Sequence, residues 1–286
     1  MSTGLPTRVP SLRLVAVPLT AVIAWMFPLD AAAQSPVTQV GTIAHFAITE
    51  SSGLAASRTF ADVIWTHNDS SSNPFLFAMR PNGTHLRAFP VSGAHLVDWE
   101  DLAIGASGNL YLADIGANGM ARSHVAIHRV REPNPFGRVR NVRIERTWLV
   151  RFPGAREDCE GFFVLRGFGY LVTKENFRGS VTIYGFPLSA RGRSIPLHRI
   201  ATVDVPGDVT STAISVDATR LALLTDEGPV VYTINGNVAG IRSSIGHYRP
   251  FVNTFMEGAT FVGKGLLVSA ETRGLWLFTD PPFQAR

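Results

Sequence analysis

The sequence predicts an all-β protein built as a β-propeller, with five blades of four antiparallel strands and six blades as the alternative. Three observations predict it. One pattern recurs five times, no stretch after the N-terminus shows sustained helical periodicity, and the last repeat lacks a strand that an unpartnered early segment can supply. In each repeat a turn of acidic or small residues leads into an apolar stretch, then into a strand ending in polar groups. The repeats start at Ser52, Glu100, Glu160, Ser211 and Glu257, which are 48, 60, 51 and 46 residues apart. A period of this size marks stacked or radial units.

Each repeat divides into strands. The first gives Gly53 to Ser57, Val63 to Thr66, Phe75 to Met79 and His85 to Pro90. The second gives Asp101 to Ile104, Leu110 to Ala113, Val125 to Val130 and Val142 to Val150. The third gives Gly161 to Leu165, Gly169 to Thr173, Val181 to Phe186 and His198 to Val205. The fourth gives Ala213 to Val216, Arg220 to Leu224 and Val230 to Ile234, with a poorly defined outer strand before Tyr248. Arg80-Pro81-Asn82-Gly83 and Ile234-Asn235-Gly236-Asn237 carry hairpin chemistry, because Asn-Gly tolerates positive φ. The fifth repeat stops after Ala259 to Val262, Gly265 to Ser269 and Leu275 to Thr279. The segment Val37 to Phe46 has no other partner and is expected to complete it, closing the ring and removing its free edges. An open solenoid would need capping repeats, and none is visible. The 60-residue interval and the loop from Asn235 to Phe255 are where a sixth blade would lie.

The N-terminus reads as an export signal. Arg8 and Arg13 precede an apolar run from Leu14 to Leu29, and Ala31-Ala32-Ala33 supplies small residues for cleavage before Gln34. The run is short for a membrane span and contains Pro18 and Pro28. The expected layout is therefore a signal peptide at 1–33 and one propeller domain at 34–286, secreted or periplasmic, monomeric and not membrane-bound after cleavage. Cys159 is the one cysteine, so no intramolecular disulfide can form, and its carboxylate neighbours Asp158 and Glu160 mark it as a structural thiol rather than a nucleophile. The formal charge is +4, and Arg138, Arg140, Arg143, Arg146 and Arg151 supply much of the excess. Those in Arg143 to Arg151 alternate along one strand, as charges on a solvent face or a blunted sheet edge do. Aromatics are not interleaved with them, which argues against nucleic acid as a partner.

In a propeller the innermost strands line the central channel, so the acidic starts and polar strand ends should converge at one rim. Twelve of the 21 acids after position 33 fall in these windows: Asp69, Asp98, Glu100, Asp101, Asp114, Asp158, Glu160, Glu175, Asp226, Glu227, Glu257 and Glu271. Clustered carboxylates repel one another, and a divalent cation relieves the repulsion. Hard cations such as Ca²⁺ take six to eight oxygen ligands, and Glu100, Asp101, Asp114, Glu160, Glu257 and Glu271 are the expected donors. Imidazole from His67 would tilt the choice towards Mn²⁺ or Zn²⁺. His67 and Glu160 are the candidate proton-transfer groups, while Asn68, Asp69, Lys174 and Asp226 are candidate contacts for a small polar or anionic ligand. The competing reading is that each acid caps its own turn or pairs with a base. No nucleophile elbow, phosphate-binding glycine loop or zinc-type Cys/His spacing is present.

The strings Trp65-Thr66-His67-Asn68-Asp69-Ser70, Asp98-Trp99-Glu100-Asp101-Leu102-Ala103 and Leu110-Tyr111-Leu112-Ala113-Asp114-Ile115-Gly116-Ala117-Asn118 resemble a family of secreted bacterial propeller proteins with a WTHNDS, DWEDIA and GDIGDN pattern. The resemblance covers Ser52 to about Pro133, and the remainder only through the repeat. Ala113 replaces a Gly of that pattern, and Ala117 replaces an Asp, which removes one carboxylate from the loop. More distantly, the Glu-Gly starts are similar to those of gluconolactonase-type and esterase-like phytase propellers. The expectation is an exported propeller that binds a divalent cation, Ca²⁺ first, together with a small polar or anionic ligand. The alternatives are a metal-dependent hydrolase of a phosphate ester or lactone, and a non-catalytic interaction module.

Overall fold

The structure is a computed structural model that describes Met1 and residues 37–69, 74–93, 97–116, 122–174, 179–251 and 255–279. The chain divides into two compact units, Met1–Gln34 and Ser35–Arg286. Most of the expected export signal, together with Ala117, Asn118 and Glu175, lies outside the described residues. Among the described residues no helix is long and apolar enough to cross a membrane.

Strand β1 (Val37–Thr42) comes first. The first unit is β2 (Ser51–Ala56), β3 (Ile64–Asn68), β4 (Phe75–Met79) and β5 (His85–Ser92), and the second is β6 (Trp99–Ile104), β7 (Asn109–Asp114), β8 (Val125–Arg131) and β9 (Val142–Arg151). The third is β10 (Cys159–Leu165), β11 (Phe168–Thr173), β12 (Ser180–Pro187) and β14 (His198–Asp204), with the short β13 (Ile195–Pro196) between the last two. The fourth is β15 (Val209–Ile214), β16 (Arg220–Thr225), β17 (Gly228–Thr233) and β18 (His247–Tyr248), and a 3₁₀ helix at Val238–Ser243 precedes β18. Last come β19 (Met256–Val262), β20 (Gly265–Ala270) and β21 (Gly274–Phe278).

Neighbouring strands within each unit pair antiparallel, and β1 pairs with β21 as the fourth strand of the last unit, as the sequence predicts. The closing joint is tight. A Cβ on Gly41 would lie 2.0 Å from the Asn82 carbonyl oxygen, so only glycine lets β1 approach the β4–β5 turn. The innermost strands complete a ring: β2 packs on β6, β6 on β10, β10 on β15, β15 on β19, and β19 returns to β2. This closed ring of inner strands, with the sheets radiating from it, is a β-propeller.

Burial explains why the sheets stand face to face. Inner and second strands are buried along nearly their whole length, as expected for strands covered on both faces. Among the described residues, apolar clusters fill the gaps between neighbouring units. Trp65 and Phe89 of the first unit pack against Trp99 and Leu112 of the second, while Leu54 and Phe77 pack against Leu267 and Leu275 of the last. Complete burial of such side chains stabilises by about 1.5–3 kcal/mol each. Cys159 sits in one of these clusters, where burial and the surrounding carboxylates raise its pKa well above normal.

The edge of β9 is handled differently from the expectation. It pairs in parallel with β5 at Val142–Arg143 and with β13 at Val150–Arg151, so neighbours cover both ends of the edge. Charge blunts only the stretch between them. There Arg146 lies 4.4 Å from the Trp148 ring centroid and donates to the Ala190 carbonyl.

Candidate functional site

The acidic starts that read as turns are bulges inside the inner strands. Register breaks between Ser52 and Leu54, Trp99 and Asp101, Cys159 and Gly161, Val209 and Ser211, and Met256 and Gly258. A bulge adds one unpaired residue and re-aims its side chain. Glu100, Glu160 and Glu257 are the extra residues in their strands, which carries their carboxylates off the ladder. The fourth unit's bulged residue is Thr210, one position before the Ser211 expected there. The run Thr210-Ser211-Thr212 has uniform polarity, so nothing in its composition signals the one-residue shift.

A second repeated contact fixes the rim. The first residue beyond the second strand of four units donates its backbone N–H to a carbonyl two residues before the inner-strand acid or its equivalent. These bonds are Asp69 to Glu50 at 3.1 Å, Lys174 to Asp158 at 2.9 Å, Asp226 to Asp208 at 3.0 Å and Glu271 to Phe255 at 2.9 Å. In the second unit Gly116 donates to Asp98 at 3.3 Å. Each unit thus delivers up to three side chains to one mouth of the channel.

There, Glu50, Ser52, Asp69, Glu100, Glu160, Lys174, Glu257 and Glu271 line a cavity of about 170 Å³. Six carboxylates face one ammonium. Asp69, Asp98 and Glu100 each place an oxygen within 4.8 Å of the others, a spacing that can hold a metal ion. Gly116 makes room for this group, since a Cβ there would lie 1.7 Å from Glu100 Oε1.

The crowding is visible in the titration of these groups. Burial, then the charges of Glu160 and Asp69, push Glu100 far above the usual carboxylate range. Glu100 also shares a hydrogen bond with Glu160, so one proton bridges the two carboxyl groups. Burial raises Glu160 as well, although Lys174 Nζ lies 3.1 Å from its Oε1 and opposes the rise. Burial, Glu160 and Glu271 push Glu257 up to about 8. The rim therefore holds protons at neutral pH where isolated carboxylates would have lost them.

The structure sorts the other predicted residues by position. His67 is completely buried behind the rim, edge-on to Trp99 at 5.1 Å, with Nδ1 3.0 Å from the Asn68 carbonyl. Burial lowers its pKa to about 4, so it is neutral, and it does not line the cavity. Asn68 is a positioning residue: its Oδ1 accepts from the N–H groups of Thr49 and Glu50, and its Nδ2 donates to Ala47. Asp226 is exposed and outside the cavity lining.

Asp101 and Asp114, expected among the cation donors, have their oxygens engaged by the protein. Asp101 Oδ1 accepts from Leu102 N at 2.8 Å and Ser211 Oγ at 3.1 Å. Its Oδ2 accepts from Phe162 N at 2.8 Å, Thr212 N at 3.1 Å and Thr212 Oγ1 at 3.2 Å. One carboxylate thus ties three inner strands together. Burial pushes it up to about 7 against these five hydrogen bonds, which favour the charged form. Asp114 accepts from Arg122 at 2.6 Å, Asp98 N at 2.8 Å and Val97 N at 3.2 Å. Burial raises its pKa, but the contacts to His128 and Arg122 outweigh burial and leave it lowered.

Three rim acids lie outside the expected cation-donor set: Asp69, which lines the cavity and belongs to the acidic triad, is expected only as a ligand contact, while Glu50 of the cavity wall and Asp98 of the triad have no expected role. The signal that finds Glu50 and Asp98 is a second register: Glu50, Asp98, Asp158 and Asp208 each lie two residues before Ser52, Glu100, Glu160 and Thr210.

No protein-family model matches the chain, and no curated protein matches it. Among solved structures, the chain is similar to a protein provisionally named a gluconolactonase (14% identity, 87% of this chain and 93% of that one, TM-score 0.46). It is also similar to a β-propeller domain from Myceliophteria thermophila (10% identity, 86% and 100%, TM-score 0.47). A third similarity is to virginiamycin B lyase from Staphylococcus aureus (13% identity, 79% and 65%, TM-score 0.41).

Proposed function

We propose that this chain is an exported propeller whose acidic rim binds a hard divalent cation, Ca²⁺ first, together with a small polar or anionic ligand. The observation that carries the reading is the convergence of six carboxylates on one cavity with a single lysine to offset them. Among the described residues the donor set is all oxygen, from carboxylates and the Ser52 hydroxyl, with neither thiol nor imidazole lining the cavity. Such a set suits Ca²⁺, Mg²⁺ or Mn²⁺ rather than Zn²⁺. Glu100, Glu160, Glu257, Asp69 and Asp98 would hold the cation, with Glu50 and Glu271 completing the wall. A bound cation supplies the positive charge that lets these groups release their protons. Lys174, partly exposed beside Glu160, gives an anionic ligand a second point of attachment. Asp101, Asp114 and Asn68 act behind the rim by fixing its strands and loops.

Calorimetric titration with Ca²⁺ and Mn²⁺ tests this. The wild type should bind with proton release. Glu100→Gln should weaken binding by at least roughly tenfold, about 1.4 kcal/mol, while changing the stability of the cation-free protein little, because Glu100 already holds a proton there. No heat and no proton release with any cation would contradict the proposal. Turnover of a phosphate ester or lactone by the loaded protein, abolished in Glu160→Gln, would extend the reading from binder to metal-dependent hydrolase.

A further inference from the structure

The outer wall of the second unit concentrates positive charge around a cleft. Residues 129–151, which form the end of β8, its connection and β9, hold seven arginines against two acids. That is a balance of +5 in a chain whose formal total is +4, so the remainder sums to −1. Both acids are already engaged. Glu132 Oε1 accepts from Trp65 Nε1 at 2.8 Å, and Glu145 pairs with Arg129 at 3.2 Å and Arg131 at 3.6 Å. Among the described residues no ion pair reaches exposed Arg138, Arg140 or Arg143.

The two strands and their connection enclose a cavity of about 670 Å³. Arg131, Arg143, Asn134 and Asn141 line it, and Val139, Val142 and Ile144 supply apolar wall. This volume lies within the range of small-molecule sites, about 300–1,000 Å³. The wall is built in advance. Arg87 donates to the Gly137 and Val139 carbonyls at 3.0 and 3.3 Å, and Asn134 Oδ1 accepts from Phe136 N at 2.9 Å. The Arg80 guanidinium lies 5.5 Å from the Phe136 ring centroid and holds the tip of the connection. A ligand entering a preformed wall loses less entropy than one that must order it.

We infer that this cleft binds a stretch of a carboxylate-bearing polysaccharide. Sugar carboxylates meet Arg131 and Arg143, hydroxyls meet Asn134 and Asn141, and ring C–H faces lie on the apolar wall. A guanidinium fork matches a carboxylate with two parallel N–H···O bonds, and a side-chain amide both donates and accepts, as a hydroxyl does. Arg138 and Arg140, on the same connection, attract the flanking carboxylates. A flat bilayer does not enter a concave cleft, and among the described residues no aromatic side chain lines it to stack a nucleic-acid base. The site does not depend on the cation reading of the rim, with which it shares no residue.

Calorimetric titration of the full chain with tetragalacturonate tests it. EDTA is present throughout, so that no cation at the rim contributes. The wild type should bind, and binding should weaken as ionic strength rises. Arg131→Ala combined with Arg143→Ala should weaken it by at least roughly tenfold, and neutral maltotetraose should bind at least tenfold more weakly than the uronate. Lys264→Ala, at an exposed cation of the last unit, should leave it unchanged. Both substituted arginines are exposed, so the double variant should melt as the wild type does. No heat with tetragalacturonate, or undiminished binding by the double variant, would overturn the inference. Tetraglutamate bound as tightly would also overturn it, in favour of an acidic peptide.

Discussion

Replacing Asp101 with Asn is expected to destabilise the protein by about 3–5 kcal/mol, the range for breaking a buried charged network. Asn keeps the shape and one acceptor, but its amide nitrogen would face N–H groups of Phe162 or Thr212 that now donate to Oδ2. The network has a fixed polarity. Ala259 N donates to Ser211 Oγ at 3.2 Å, and Ser211 Oγ donates in turn to Asp101 Oδ1. The hydroxyls can turn, but the backbone N–H groups of Leu102, Phe162 and Thr212 cannot, and they have no acceptor to offer an amide. For a domain of this size the loss corresponds to a fall in melting temperature on the order of 10 °C. Asp226→Asn, at an exposed carboxylate, should stay within about 0.5 kcal/mol of wild type. Thermal or urea unfolding of both variants checks this, and an Asp101→Asn protein within about 1 kcal/mol of wild type would remove Asp101 as a strut.

The stability of the cation-free protein should pass through a maximum well on the acid side of neutrality, at roughly pH 4. Two opposed effects produce it. His67, lowered by burial to about 4, takes up a proton more readily in the unfolded chain, so its contribution is lost as pH falls from the ordinary histidine value towards 4. Glu257, raised by burial and by Glu160 to about 8, keeps its proton in the fold after the unfolded chain has lost it. Its ionisation therefore costs stability progressively as pH rises from the ordinary glutamate value to about 8. Glu100 acts in the same direction. Saturating Ca²⁺ should shrink the alkaline decline, because the cation favours the charged rim carboxylates, leaving the part due to Asp101, which burial raises to about 7, and the acid limb in place. Melting curves across pH in chelator and in Ca²⁺ read both limbs. An alkaline decline that is identical in the two series would contradict the rim assignment.

How far the sequence speaks for itself depends on the kind of residue. Apolar second strands such as Asn109–Asp114 and Arg220–Thr225 are legible because period and composition agree, and the closing partnership of β1 with β21 follows from an unpartnered strand and an incomplete repeat. The inner strands begin two to four residues earlier than their apolar content indicates, because the bulges keep Glu100, Glu160 and Glu257 in the strand. The same ambiguity separates rim from support. Glu100 and Asp101 are adjacent acids, yet alternation across the pleat turns one to the cavity and the other to backbone donors of two neighbouring strands. Composition cannot distinguish them, since what decides is which donors the other units bring. His67 shows the converse: its strand-end position suggests the rim, but its ring turns into the gap beside Trp99.

The most direct test of the central claim is the melting temperature of the purified protein at pH 8 in EDTA and after addition of Ca²⁺, Mg²⁺ or Mn²⁺ in excess. A cation at about one hundred times its dissociation constant adds about 2.7 kcal/mol, which for a domain of this size is a rise of several degrees. The rise should shrink in Glu100→Gln and Glu257→Gln and persist in Asp226→Asn. A melting temperature unchanged by EDTA and by all three cations would mean that the rim acids serve the fold alone.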